Sequence, residues 1–226
     1  MDALDTRKYF SEPAVVLLVD RVQAGDLARV KQSLAAGVSA NAQGQNGFRP
    51  IHFAFVPPTA EVLRALIAAG ADPNARLSNG NAPLHFAVRM PNPDFTAVLL
   101  AAKADPNARG DNDKPVVHVA TAFAGNHALE LLAKAGADLN AVWAGKSTLV
   151  AAVAGLSWKS AASLLKLGAD PTFKDRRGET AADWWCGQLK NMPVTDKNRG
   201  DVLALADAFA GRGVVLACAA EVARFR

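Results

Sequence analysis

The chain has 226 residues, of which half are hydrophobic and 7% are aromatic, and its net charge at pH 7 is +4. Its longest apolar runs, 14–19 and 214–220, are far shorter than the roughly 20 residues that a transmembrane helix needs, so we expect no membrane insertion. The cations are scattered instead of forming a basic run, so the charge favours an acidic protein surface as partner and argues against a nucleic-acid-binding arm.

A seven-residue block recurs along the chain at a fixed interval. Its four copies read Ala-Gly-Val-Ser-Ala-Asn-Ala, Ala-Gly-Ala-Asp-Pro-Asn-Ala, Ala-Lys-Ala-Asp-Pro-Asn-Ala and Ala-Gly-Ala-Asp-Leu-Asn-Ala. Self-similarity at such a period indicates one supersecondary unit stacked on itself, with no single globular core. The asparagines of the four blocks lie 33 residues apart, at Asn41, Asn74, Asn107 and Asn140.

A second block repeats in the same phase, as Pro-Ile-His-Phe-Ala at 50–54, Pro-Leu-His-Phe-Ala at 83–87 and Val-Val-His-Val-Ala at 116–120. Together the two blocks resemble the ankyrin repeat, which opens a first helix with Thr-Pro-Leu-His-x-Ala and closes a second with Gly-Ala-Asp-x-Asn-Ala. The resemblance covers residues 11–190. It implies an all-α solenoid of helix-turn-helix units with short finger loops and a helical C-terminal cap.

The two blocks divide the chain into about six units within a single repeat domain. Terminal units should diverge, because each has one face without a neighbour. Beyond the last unit we expect an irregular polar loop over 191–200 and capping helices within 201–209 and 214–225. The predicted units span 11–42, 43–75, 76–108, 109–141, 142–173 and 174–190, with the cap at 191–226.

Turn and cap residues follow the same pattern. Proline at the first turn, as at Pro50, predicts the start of a first helix. Glycine after the leucines of a second helix, as at Gly70, predicts a C-terminal cap with positive φ. Lys103 occupies the equivalent position of the third unit, where a positive φ costs of the order of 1 kcal/mol. The pair Pro57-Pro58 should stiffen the turn between the helices of the second unit.

The residues that could carry chemistry are periodic, which argues for structural roles. His52, His85 and His118 occur once per repeat, so they should lie roughly 10 Å apart, too far to share a metal whose ligands sit about 2 Å away. Periodic aspartates such as Asp72 are likewise expected in turns rather than as an acid–base pair. We therefore predict no enzyme activity, no metal and no cofactor.

Two cysteines, Cys186 and Cys218, are too few for a disulfide framework, and we expect both to be unpaired thiols. Trp184 stands beside the histidine-equivalent position of the sixth unit and is expected to pack in the core, with an aromatic partner site as the alternative. Trp158, in the turn between the helices of the fifth unit, is more ambiguous, and a structural role is preferred for it. The first residues carry mixed charges and precede no cleavable apolar segment, so we expect the cytoplasm before the periplasm.

The positions that vary between repeats remain available for recognition. In ankyrin arrays they lie on the finger loops and the inner face of the first helices, which form an extended concave surface. Aromatic residues among cations are typical of binding hot spots. The alternative is a solvated rim with its aromatics folded inward. The predicted partner-binding residues are Gln45, Phe48, Arg76, Asn81, Arg89, Arg109, Asp111, Lys114, Trp143, Lys146 and Arg176, with Val56, Lys174, Arg177 and Glu179 at similar positions.

The resemblance implies non-catalytic protein–protein recognition by a chain that is monomeric when unbound, but it does not name a partner. Our preferred hypothesis is an inhibitor or immunity protein against a secreted effector enzyme, as in bacterial stand-alone ankyrin proteins. An adaptor that recruits a client would need a second binding surface. A binder of nucleic acid or anionic membrane would lose affinity steeply as salt rises.

Overall fold

A computed structural model describes residues 5–55, 60–123 and 127–226. It falls into two units, Met1–Val116 and Val117–Arg226. Val56 and the pair Pro57-Pro58 lie outside the described residues. Within the described residues, no helix is both long enough and apolar enough to cross a membrane.

The first unit consists of paired helices joined by short loops. Pro13 starts the first helix, and the carboxylate of Asp26 caps the second by accepting from the backbone N–H of Arg29 at 3.0 Å. The elements are α1 (Pro13–Gln23), α2 (Leu27–Ala35), α3 (Ala60–Ala68), α4 (Pro83–Ala87), α5 (Asp94–Ala101) and 3₁₀ turns at Thr6–Lys8, Gln45–Gly47, Pro50–Phe53 and Asp111–Asp113. Helix α6 (Val116–Ala120) begins at the last residue of this unit.

The second unit continues the helical pairs and adds one β-hairpin. Its strands β1 (Val142–Trp143) and β2 (Lys146–Ser147) are antiparallel, with Trp143 opposite Lys146. Ala144 and Gly145 connect them with φ of 50° and 79°, the left-handed pair that a two-residue type I′ hairpin requires. The helices are α7 (Ala128–Lys134), α8 (Thr148–Ala154), α9 (Trp158–Lys166), α10 (Ala181–Leu189), α11 (Asp196–Gly211) and α12 (Ala219–Ala223). The architecture is the predicted all-α ankyrin fold, with this hairpin as an unpredicted finger.

Asparagines at the repeated position bridge their own turn to the next within each of the two units. Asn41 donates from Nδ2 to the carbonyl of Gly70 at 2.7 Å, and its Oδ1 accepts from the N–H of Asp72 at 2.8 Å. Asn74 makes the same pair of bonds to Lys103 and Asp105, at 3.0 and 2.8 Å. In the second unit, Oδ1 of Asn140 accepts from the N–H of Asp170 at 2.8 Å.

The aspartates act as predicted, as turn residues. Oδ1 of Asp72 accepts from the N–H of Asn74 at 2.9 Å, two residues further along the chain. Asp105 and Asp138 do the same for the next residue but one, in each case at 2.9 Å. Lys103 retains the glycine-like geometry of its position, with φ of 68°.

The repeated histidines hold backbone groups, which confirms their predicted structural role. His52 accepts at Nδ1 from the N–H of Arg49 at 3.0 Å, so Nε2 carries the proton and donates to the carbonyl of Ala75 at 3.0 Å. Nε2 of His118 lies 2.7 Å from the carbonyl of Ala141. The rings of His52 and His118 thereby tie the first helix of a repeat to the turn that ends the same repeat.

The C-terminal segment departs from the sequence-based prediction in two ways. Helix α11 begins at Asp196, within the predicted loop, because Thr195 and Asn198 form a capping box at its start. Cys186 on α10 and Cys218 before α12 form a disulfide, so the prediction of two free thiols was wrong. The cysteines lie 32 residues apart in sequence, and only the packing of α10 against α12 reveals that they meet.

We predict that protonation of the repeat histidines lowers stability. Burial lowers the pKa of His52 and His85 below 6.5, although their backbone hydrogen bonds oppose this shift. The unfolded chain therefore binds more protons than the native chain below that pH, and the free energy of unfolding should fall as pH decreases from about 7 to about 5. Urea titrations across this pH range measure the free energy of unfolding.

The variant His52→Gln/His85→Gln should show a flatter pH dependence than the wild type, while the exposed control His127→Gln should keep the wild-type slope. An equal slope of the free energy of unfolding against pH in all three proteins would contradict the role given to His52 and His85.

The disulfide is expected to stabilise the second unit. It closes a loop between residues 32 apart, so its removal should cost about 3–4 kcal/mol in the chain-entropy model. Guanidinium unfolding of Cys186→Ser/Cys218→Ser measures the loss. The wild type in reductant should match the variant, whereas an unchanged midpoint in both would show that the bond contributes nothing.

Candidate protein-binding site

In the first unit, the side chains of two predicted binding residues, Arg76 and Asn81, hold neighbouring finger loops together. The guanidinium of Arg76 donates to the carbonyls of Gly80 and Arg109 at 3.2 and 2.6 Å. Oδ1 of Asn81 accepts from the N–H of Asp111 at 3.0 Å. These side chains have a structural function, whatever else they contact.

Arg109 is also engaged within its own loop. Its Nη1 lies 2.9 Å from Oδ2 of Asp113 and 3.2 Å from the carbonyl of the same residue. Arg89 and Gln45 remain on the surface, and Lys114 is half-buried. The backbone N–H of Gln45 donates to Tyr9 at 2.8 Å, which fixes the finger against the start of the chain.

Phe48 is only partly exposed and packs against other aromatic rings. It is half-buried, with its ring 4.5 Å from that of Tyr9 and 5.4 Å from that of Phe53. Trp143 in the second unit is also half-buried, with its ring 6.2 Å from that of His118. For these two aromatics the alternative prediction, in which they fold inward, describes the structure better.

Lys146 and Arg176 meet at a pocket that the sequence did not predict. One wall of the pocket is the hairpin turn, which belongs to the fifth predicted repeat. The other wall is the segment 174–179 together with α10, which belong to the sixth predicted repeat. The volume is about 220 Å³. We call it the Trp184 pocket, and its lining residues are Ala144, Gly145, Lys146, Asp175, Arg176, Arg177 and Trp184.

Trp184 forms the aromatic surface of this pocket instead of packing in the core as predicted. The ammonium of Lys146 lies 4.7 Å from the ring centroid, and the guanidinium carbon of Arg177 lies 4.4 Å from it. The adjacent Trp185 is the buried core residue, with its ring 5.7 Å from that of Phe209. Trp158 is buried as predicted.

Asp175 fixes the ring of Trp184 by accepting from the indole Nε1–H at 2.9 Å. Its other oxygen accepts from the backbone N–H groups of Arg177 and Glu179, at 2.8 and 3.1 Å. Desolvation alone would raise the pKa of Asp175, but these three donors and the charge of Arg177 hold it below its usual range. Asp175 is therefore a carboxylate at neutral pH, and its acceptor capacity is largely used.

The cations of the pocket differ in what they contact. Arg177 pairs with Glu179 at 3.2 Å. Lys146 and Arg176, by contrast, form no ion pair with any carboxylate of the described residues. Arg176 packs over the hairpin turn so closely that a Cβ at Gly145 would lie 2.5 Å from its Nε.

The arrangement is suited to binding an anionic group. The pocket has no nucleophile beside a base, and the described residues contain no group of His, Cys, Asp and Glu that could hold a metal ion. Sequence reasoning identified its cations but missed Trp184 and Asp175. The available signal was a charged finger, Lys-Asp-Arg-Arg-Gly-Glu, followed within one helical turn by Trp-Trp.

Comparisons with known proteins agree with the architecture. A family model described as ankyrin repeats, in three copies, matches residues 18–110. The ankyrin repeat domain of Bcl-3, a member of the IkappaB protein family, is similar in structure with a TM-score of 0.71 and 26% identity, over 88% of this chain and 86% of that one. The ankyrin repeat protein EF0377 is similar with a TM-score of 0.70 and 22% identity, over 89% of this chain and 98% of that one.

No curated protein matches the chain by sequence. The periodic blocks, the stacked helix pairs, the family model and the similar structures all lead to one assignment: the chain carries ankyrin repeats and has the ankyrin repeat fold.

Proposed function

We propose that this protein binds a partner protein through its finger loops and does so without catalysis. Ankyrin repeats indicate a protein–protein interaction module. The observation that carries the more specific proposal is the state of Lys146 and Arg176. The asparagines, histidines and aspartates of the repeats hold backbone groups, whereas these two cations have no carboxylate partner in the described residues.

The charge of the site supports an acidic patch on the partner. Complementary charges raise the association rate and fix the register of an interface. In the first unit, Gln45 and Arg89 are predicted residues that lie exposed on the surface, and they extend the proposal to that unit.

We further propose that the partner is an enzyme, and that binding inhibits it, as an immunity protein inhibits a secreted effector. The disulfide supports an oxidising compartment such as the periplasm, because disulfides are rare in the reducing cytosol. This inference replaces our preference for the cytoplasm.

The alternative is an adaptor, which needs a second binding surface. Two apolar side chains on the C-terminal segment favour it, since Val215 is 94% exposed and Val194 is 43% exposed. They are single residues on loops, so they support an adaptor less strongly than the cations support an acidic partner.

Affinity capture with purified protein as bait, from a nuclease-treated lysate of the source cells, tests the proposal. We expect one enzyme to be retained, and its affinity to fall at least tenfold with Lys146→Glu/Arg176→Glu, which corresponds to about 1.4 kcal/mol. The variant Gln45→Ala/Arg89→Ala should weaken binding less. Activity of the retained enzyme should fall when the wild-type protein is added.

The matched control is Lys134→Glu/Lys166→Glu, which makes the same change in charge at the ends of α7 and α9 and should bind like the wild type. An equal loss of affinity in the control variant would indicate an effect of net charge alone. Retention of several unrelated proteins by every variant would favour the adaptor and contradict the proposed site.

A further inference from the structure

We infer that the Trp184 pocket receives a single aspartate or glutamate side chain from the partner. This inference rests on the proposed function and specifies the chemistry of the same surface. The positive groups available to such a ligand are the ammonium of Lys146 and the guanidinium of Arg176. A planar guanidinium can bind a carboxylate through two parallel hydrogen bonds.

The negative groups nearby do not neutralise these cations. Asp175 already accepts three N–H donors, and Glu179 pairs with Arg177. Neither carboxylate lies within 4.0 Å of the charged nitrogens of Lys146 or Arg176. The two cations are therefore left for a ligand from outside the chain.

The pocket is built before any ligand arrives. The type I′ turn of the hairpin positions Lys146, and the absence of a side chain at Gly145 lets Arg176 lie flat across that turn. Trp184 is fixed by its hydrogen bond to Asp175, and the ammonium of Lys146 lies 4.7 Å from the centroid of its ring. Groups that are already ordered lose less conformational entropy on binding, which increases affinity.

Size and charge together restrict the ligand. The volume of about 220 Å³ lies below the roughly 300–1,000 Å³ of pockets that hold drug-sized molecules or cofactors, so the ligand is of side-chain size. The carboxylate of Asp175 also lines the pocket and repels a dianion more strongly than a monoanion. A carboxylate suits this balance better than a phosphate.

The test uses the full chain and an acetylated hexaglutamate peptide at fixed ionic strength. The reporter is the indole N–H resonance of Trp184 in a ¹⁵N NMR titration, assigned by its absence in Trp184→Phe. We expect a saturable shift with hexaglutamate and none with hexaglutamine. In Lys146→Gln/Arg176→Gln the affinity should fall at least tenfold, and in the control Lys134→Gln/Lys166→Gln it should change less than twofold.

Three results would overturn the inference. The first is the absence of any saturable shift in the folded wild-type protein. The second is an equal loss of affinity in the pocket variant and its control, which would indicate diffuse attraction to a cationic surface. The third is a response to inorganic phosphate that exceeds the response to hexaglutamate, which would assign the pocket to a different anion.

The carboxylate pocket and the proposed function can fail separately. If the captured partner depends on the finger loops but hexaglutamate does not bind, only the carboxylate pocket is wrong. If hexaglutamate binds as described but no partner protein is retained, the pocket stands as a site for carboxylates and the proposed inhibitor function is wrong.

Discussion

The side-chain amide of the repeat asparagine sets the register of the array. An amide has both a donor and an acceptor, so one side chain can satisfy a carbonyl and an N–H of the following turn at once. Asn41 and Asn74 both do so, across sequence separations of 29 and 31 residues. Because each such bond joins one repeat to the next, the period of 33 residues follows from a structural requirement.

This constraint explains which residues remain for binding. Asn41, Asn74, His52 and the aspartates of the turns hold backbone groups. Several finger residues are occupied as well, since Arg76 and Asn81 link adjacent loops. Lys146 and Arg176 are different, because a hairpin turn and a fixed indole hold them in place without neutralising them. Their arrangement gives the second unit a site with defined chemistry.

Periodicity made the fold and the framework predictable, because local patterns determine them. The roles of His52 and the positive φ of Lys103 could both be anticipated from equivalent positions in other repeats. Contacts between non-equivalent positions could not be anticipated from the sequence. The Cys186–Cys218 disulfide depends on how the cap packs, and the exposure of Trp184 depends on which of two adjacent tryptophans faces the core. Phe48 is covered by Tyr9, which lies outside the repeats.

The fingers around the Trp184 pocket form the proposed partner interface. Hydrogen–deuterium exchange of the protein, alone and with its retained partner, tests this claim most directly. We expect the backbone amides of the hairpin Val142–Ser147 and of 174–180 to exchange more slowly when the partner binds. Exchange in α7 and α9 should change little. Protection confined to α7, α9 or residues 191–226, with unchanged exchange in both fingers, would contradict it.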